Sequence, residues 1–309
     1  MAEGSATTGL SEVWPELIQS DWGDTCATLN MWLQVVGKVR MALVPAINHC
    51  WNVTLYPTVR GLTTLPMPYG NRMLQIDFDF LEHMLVAATS DGESRIVPLR
   101  QMTVAEFYRL VMGALESLGT PVKIWPTPCE VEQPIRFDED ETHQAYDSEY
   151  AQRFWRVLLQ AERVITVFRA RFIGKVSPVH LFWGALDMAC TRFSGRTAPE
   201  HASMPGLPDR VTRDAYSHEV SSCGFWPGAP GVEAFFYSYA YPEPPGYAEY
   251  AIAPALAGYD KNFGEFVLPY EAMRRSGDPD GALLEFLQST YEAAANCAGW
   301  DRKALEIAK

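Results

Sequence analysis

The chain has 309 residues, of which 48% are hydrophobic and 20% are charged. This composition is typical of a globular protein with a sizeable core, and it excludes a disordered, collagenous or coiled-coil chain. The 25 basic and 38 acidic residues give a net charge of −13. Because so negative a surface repels phosphate, we expect neither nucleic-acid binding nor docking on anionic membranes.

The start of the chain, MAEGSATTGLSEVW, has neither the basic residues nor the apolar run of a secretory signal. No stretch of about 18 apolar residues predicts a membrane span. The six cysteines are far apart and include no CxxC pair, which indicates reduced thiols rather than a disulfide or zinc framework. We therefore expect a soluble, cytoplasmic protein.

The first half of the chain is predicted to run helix, strands, helix. The first helix should follow Asp24 and end at Pro45, since apolar residues recur in it every three or four positions. Strands are predicted in CWNVTLY, RMLQIDFDF, HMLVAAT and SRIVPL. Thr103 and Glu106 form a capping box that begins a helix ending at Gly119, and VKIW is typical of a short strand.

The second half begins with a strongly acidic segment, residues 130–149, which contains eight acids and one base. It indicates an exposed connection, with a partner-binding patch as the alternative. A long helix is predicted over 148–172, followed by strands in HLFWGALDMACTRF, YSHEVSSCGFW and EAFFYSYAY. A last helix should open at Asp278-Pro279 and end before Gly299.

This order lacks the regular strand–helix alternation of a parallel sheet, so we predict an α+β fold with antiparallel sheets flanked by helices. No Gly/Ser-rich linker divides the chain. We expect one compound domain with two α/β lobes, about residues 12–128 and 148–301, joined by the acidic connection 129–147.

Three histidines lie in apolar, strand-like sequence, where an imidazole needs a partner. These are His49 in NHCWNVTLY, His180 in HLFWGALD and His218 in YSHEV. Each alone is typical of a hydrogen-bonded core histidine. If the three meet in one pocket, they form a candidate catalytic site with Glu219.

Imidazoles and carboxylates are also the ligands of open zinc or non-haem iron sites. Since Asp187 follows His180 in the sequence, the candidate metal ligands are His180, His218 and Asp187. Without a metal, the same groups are candidates for general acid and base. The paired Asp77 and Asp79 alternate with core residues and are predicted to form a solvated strand face.

Arginines among small residues are candidates for holding an anionic ligand, because a guanidinium can form two hydrogen bonds to a carboxylate or phosphate. Surface ion pairs are the alternative. Aromatic residues near the histidines and arginines would supply apolar pocket walls, although core packing also uses them. The predicted ligand-binding residues are Arg60, Trp51, Trp183, Arg192, Arg196 and Trp226.

Several segments resemble a known family: NHCWNVTLY, RGLTT, FIGKVSPVHLFWGALDMACTRFSGR, AYSHEVSSCGFWPG and FLQSTYEAAANCAGWDR. Together they are similar to a bacterial family catalogued as a domain of unknown function, number 5996, from Trp14 to Asp301. The resemblance implies a bacterial protein occupied by one family-length domain. It implies no activity, cofactor or catalytic residue.

We therefore predict a cytoplasmic enzyme that acts on a small anionic or aromatic metabolite, through a His/carboxylate pocket that binds zinc or iron or moves protons. The alternative is a non-catalytic protein that binds or senses a small ligand in the same pocket. The sequence does not indicate an oligomeric state.

Overall fold

The computed structural model describes residues 12–203 and 208–307. Within them the chain forms two antiparallel sheets of six strands each and seven helices, which confirms the α+β class. The strands of the first sheet follow the order β1-β2-β4-β5-β6, with β3 paired to β4. They are β1 (Tyr56–Thr58), β2 (Gly61–Thr63), β3 (Met67–Tyr69), β4 (Arg72–Asp79), β5 (Met84–Thr89) and β6 (Ser94–Pro98).

Two helices pack beside this sheet, α1 (Gln19–Leu43) and α2 (Val104–Ser117). The α2 helix begins where the capping box predicts, because the Thr103 hydroxyl accepts a hydrogen bond from the Glu106 amide at 3.1 Å. The α1 helix begins at Gln19, six residues before the predicted first residue, Thr25. The Glu233 carboxylate accepts a hydrogen bond from its first amide, Gln19 N, at 3.0 Å, so a residue far along the chain sets this boundary.

The second sheet has the strand order β11-β12-β10-β9-β8-β7. The helices α3 and α6 pack on one of its faces, and each begins at the predicted position. The strands are β7 (His180–Phe182), β8 (Asp187–Thr197), β9 (His218–Trp226), β10 (Phe235–Tyr241), β11 (Gly258–Asp260) and β12 (Glu265–Pro269), and the helices are α3 (Ser148–Arg169), α4 (Asp209–Ala215), α5 (Tyr270–Arg274), α6 (Pro279–Cys297) and α7 (Arg302–Leu305).

Direct backbone pairing links the segment before β1 of the first sheet to β7 of the second sheet. Leu55 and Leu181 exchange hydrogen bonds of 2.8 and 2.9 Å, and a single cluster of buried apolar side chains includes residues from both sheets. None of the helices in the described ranges combines the length and the apolar character of a membrane span.

Three strand predictions were wrong. CWNVTLY lies mostly in a 3-10 turn, Asn48–Cys50, and the irregular segment after it, because His49 and Cys50 adopt left-handed φ angles of 58° and 57°. VKIW forms no strand. HLFWGALDMACTRF forms the hairpin of β7 and β8 rather than one strand, with Leu186 also left-handed at φ 63°.

The acidic connection contains no helix or strand between residues 118 and 147, and most of its acids are exposed. Asp140 differs from this prediction, because it is fully buried and accepts hydrogen bonds from the amides of Thr142 and His143. Glu130 is exposed, as predicted, and its side chain also lines the cavity described next.

Candidate functional site

A cavity of about 660 Å³ lies on the face of the second sheet opposite α3 and α6. Successive side chains of a strand alternate between faces, so every second residue of β8, β9 and β10 reaches this cavity. The other walls come from residues 48–53, the segment 125–130, α1 and α4. The floor consists of Asp187, Ala189, Thr191, Phe193, Val220, Ser222, Tyr237 and Tyr239.

Aromatic rings dominate the lining, which is typical of a pocket for a flat organic molecule. Trp125 is 70% exposed and lies where the cavity meets solvent. Trp183 is buried, and its indole N–H donates a hydrogen bond to the Val53 carbonyl at 2.6 Å. The eight aromatic residues of the lining are Trp51, Trp125, Phe182, Trp183, Phe193, Tyr216, Tyr237 and Tyr239.

Two carboxyl groups, those of Glu130 and Asp187, lie at one end of the cavity. The Tyr237 hydroxyl donates a hydrogen bond to Asp187 Oδ2 at 2.7 Å. Glu130 lies directly against the backbone of Gly184, where any Cβ would be only 1.9 Å from Glu130 Oε1. Among the described residues, no Lys, Arg or His nitrogen lies within 4.0 Å of either carboxyl group.

The surroundings of these carboxyl groups favour their protonated forms. Burial raises the pKa of Glu130 to about 7, and the negative charge of Asp187 adds to the effect. Burial also raises the pKa of Asp187 to about 6, although the Tyr237 hydrogen bond opposes it. Glu265, beside Tyr239 in the next strand, has a pKa raised to about 7 by burial and by Asp187. Such groups can gain or lose a proton near neutral pH.

A basic cluster lies at the other end, around His49. His49 Nδ1 is 3.0 Å from the Asp214 carbonyl oxygen, and its Nε2 is 2.6 Å from Lys175 Nζ. Burial and the Lys175 charge lower the pKa of His49. The ring is therefore neutral, with Nδ1 donating to the carbonyl and Nε2 accepting from Lys175. The Lys175 ammonium also lies 4.7 Å from the centre of the Phe193 ring.

The other two predicted histidines do not complete a three-histidine site. His218 is adjacent, with its ring 5.9 Å from that of His49, but its Nδ1 lies 3.0 Å from the Ser217 hydroxyl. His180 is fully buried behind Trp51, at a ring distance of 6.4 Å, and neither of its nitrogens has a hydrogen-bond partner within residues 12–203 and 208–307. Burial, with Arg40 and Arg169, lowers the pKa of His180 to about 3.

No group of three His, Cys, Asp or Glu side chains that could hold a metal exists among residues 12–203 and 208–307. The predicted ligand set of His180, His218 and Asp187 is therefore not assembled. Asp187 is paired with Tyr237 instead, and the hairpin places it opposite Phe182.

Of the predicted ligand-binding residues, Trp51 and Trp183 line the cavity, whereas the others lie away from it. Arg192 is buried on the opposite face, with its guanidinium 3.5 Å from the centre of the Phe168 ring. The remaining groups have other partners: Arg196 pairs with Glu219 at 2.6 Å, Arg60 pairs with Asp79 at 2.6 Å, and the Trp226 indole donates to the Ala185 carbonyl at 3.1 Å.

Sequence reasoning missed Glu130, Tyr237 and Lys38 as site residues. Alternation in EAFFYSYAY puts Tyr237 and Tyr239 on one side of β10, and this is the signal by which the sequence could have indicated them. Glu130 has no such signal, because it lies in an acidic, proline-rich segment. Lys38 lies on α1 and donates a hydrogen bond to the Thr127 carbonyl at 2.8 Å.

A family model matches residues 14–307 of the chain, which is nearly its full length. The chain belongs to a family of unknown function, DUF5996. The match confirms the resemblance seen in the sequence. Comparison with the curated proteins and with the solved structures found no match, so membership of this family assigns no activity to the cavity.

Proposed function

We propose that the chain is a cytoplasmic enzyme that holds a small molecule with a flat, aromatic body in the cavity and transfers protons to or from it. The observation that carries this proposal is the pair of carboxyl groups, Glu130 and Asp187, in an aromatic-lined cavity. Their pKa values are about 7 and about 6, and neither has a basic partner among the described residues. General acid–base catalysis is most efficient with such pKa values.

The geometry suggests a role for each carboxyl group. The Tyr237 hydroxyl donates to Asp187 and thereby stabilises the ionised form of that carboxylate. Glu130 has the higher pKa and therefore keeps its proton to a higher pH than Asp187. We assign Asp187 as the general base and Glu130 as the general acid, since neighbouring carboxyl groups with separated pKa values can divide these tasks.

The cytoplasmic setting is supported by the cysteines, since all six are free thiols and disulfides are rare in reducing compartments. A small molecule is the proposed partner. The net charge of −13 argues against nucleic acid and anionic membranes as partners. Because no metal-ligand cluster is assembled within the described ranges, proton transfer is the form of the predicted chemistry that we retain.

A second candidate is a protein that binds the same ligand without converting it. The arrangement of His49 favours this alternative, because Lys175 and the Asp214 carbonyl engage its two ring nitrogens. Neither nitrogen is then free to move a proton for a substrate. The chain would bind an aromatic molecule and sense it.

A ligand screen separates the two candidates. Aromatic metabolites would be tested for a rise in melting temperature, and each hit would be incubated with the protein and followed by NMR for conversion. The enzyme proposal predicts conversion that Glu130→Gln and Asp187→Asn abolish. Glu132→Gln is the matched control, since Glu132 is an exposed residue of the same loop. Binding without conversion favours the sensing protein, and an absence of hits refutes both.

A further inference from the structure

The carboxyl end of the cavity gathers acidic groups, and among the described residues no cationic side chain lies within 4.0 Å of Glu130 or Asp187. Glu130 and Asp187 line the cavity, and Glu265 is close enough for the Asp187 charge to raise its pKa. The two basic residues of the lining are directed elsewhere. Lys38 donates to the Thr127 carbonyl at 2.8 Å, and Arg210, an exposed residue, forms no ion pair with Glu130 or Asp187 among the described residues.

The cavity lining also contains a polar group that lacks a partner. Thr212 lines the cavity and is only 2% exposed, yet its hydroxyl has no hydrogen-bond partner among the described residues. Buried hydroxyl groups almost always have one. A molecule held in the cavity would supply it, and this observation is independent of the carboxyl groups.

The aromatic residues beside the carboxyl groups favour the same kind of ligand. Trp183 precedes Gly184, the residue against which Glu130 lies, and Tyr237 contacts Asp187. Aromatic ring faces attract organic cations, most strongly where water is excluded. Carboxylates and ring faces together form a site for a positively charged nitrogen attached to an apolar body.

We infer that the cavity selects a ligand that carries a cationic nitrogen, a protonated amine or amidine, and that Glu130 and Asp187 hold this group. The inference rests on the proposed function, because it specifies the ligand class of the same cavity. It replaces the anionic ligand expected from the sequence, since the arginines behind that expectation lie away from the cavity. An anionic ligand would place like charges together at this end.

Calorimetric titration of the full chain with three probes tests the inference. Tryptamine, tryptophol and indoleacetate share an indole ring and are cationic, neutral and anionic. At about pH 8, where both carboxyl groups are ionised, we expect tryptamine to bind at least about tenfold more tightly than tryptophol, and indoleacetate more weakly than either. The double variant Glu130→Gln/Asp187→Asn should bind tryptamine and tryptophol equally, whereas Glu132→Gln should keep the preference.

The outcomes separate this inference from the proposed function. Equal binding of tryptamine and tryptophol to the wild type overturns the inference and leaves the cavity as a ligand site. A preference that persists in the double variant also overturns it. Failure of all three probes to bind refutes the proposed ligand site and the inference together.

A second measurement, on the wild-type protein alone, tests the inference if the double variant does not fold. Because a cation favours ionised carboxylates, tryptamine should release protons when it binds to the wild type near pH 6.5, roughly midway between the two carboxyl pKa values. Heats measured in buffers of different ionisation enthalpy report this release. Binding without proton release contradicts the inference.

Discussion

The contact between α1 and Trp183 shapes one wall of the cavity, and replacing Gly37 with alanine tests it. A Cβ at Gly37 would lie 2.3 Å from the Trp183 indole nitrogen and 2.4 Å from two ring carbons. These distances are far below van der Waals contact. The ring cannot move away freely, because it is buried and its N–H donates to the Val53 carbonyl. The Gly37→Ala variant should therefore be destabilised.

Three effects determine how much Gly37→Ala changes the free energy of unfolding. Alanine in place of glycine within a helix stabilises by about 1 kcal/mol. Overpacking a core costs about 1–3 kcal/mol, and the loss of the indole hydrogen bond, which leaves buried groups unpaired, costs about 1–3 kcal/mol more. We expect Gly37→Ala to lower the free energy of unfolding by about 1–5 kcal/mol, measured by urea unfolding followed by circular dichroism.

Gly113→Ala is the matched control. Gly113 lies in α2, and a Cβ there would have no neighbour within 4 Å. The same substitution should therefore show only the helix effect and stabilise by up to about 1 kcal/mol. If Gly37→Ala stabilises the protein as Gly113→Ala does, the described packing of Trp183 against α1 is wrong.

Three further predictions concern titration. Burial raises the pKa of Glu130 from 4.5 to about 7, so this group stabilises the fold below about pH 4.5 and loses that contribution as the pH rises through about 7. Glu130→Gln should therefore be more stable than the wild type at about pH 8 and equal to it at about pH 4. The opposite pattern in urea unfolding would refute this. Tyr237→Phe removes the hydrogen bond that opposes the effect of burial on the pKa of Asp187. The pKa of Asp187 should therefore rise above about 6 in a carboxyl NMR titration. An unchanged or lower value would contradict the described contact. Lys175→Met removes a charge that lowers the pKa of His49, so that pKa should rise in an imidazole NMR titration, and a fall would show that Lys175 does not act on the ring.

The parts of the fold that local chemistry determines could be predicted from the sequence. The Thr103 cap and the Asp278-Pro279 start correctly gave the first residues of α2 and α6. The residues that start each of these helices all lie within one helical turn of each other in the sequence. The start of α1 is different, because the Glu233 carboxylate that caps it lies 214 residues away and no local pattern reports such a contact.

The candidate site was predictable only in part, for a similar reason. His49, Trp51 and Trp183 were chosen for their residue type, and they line the cavity. The predicted strands around His49 and Asp187 are interrupted by left-handed residues at His49 and Leu186. Such backbone angles in residues other than glycine depend on tertiary contacts, here the Asp214 carboxylate accepting from the Cys50 amide at 3.1 Å.

Residue type alone does not determine whether an acid is solvated. In the acidic segment, Asp138 and Glu139 pair with Arg136 at the surface. Glu130 instead lines the cavity, where burial raises its pKa and the charge of Asp187, from another element, adds to the effect. The sequence could identify the acidic segment but not the member of it that enters the site.

The most direct test of the central claim is a carboxyl titration of the wild-type protein by NMR with labelled Asp and Glu. The account predicts that Glu130 and Asp187 titrate with apparent pKa values of about 7 and about 6, and that their signals are lost in Glu130→Gln and Asp187→Asn respectively. The signal of Glu265, also near 7, should remain in both variants. If these two groups titrate below about pH 5, as exposed carboxylates do, the cavity holds no acid–base pair and the proposed function is wrong.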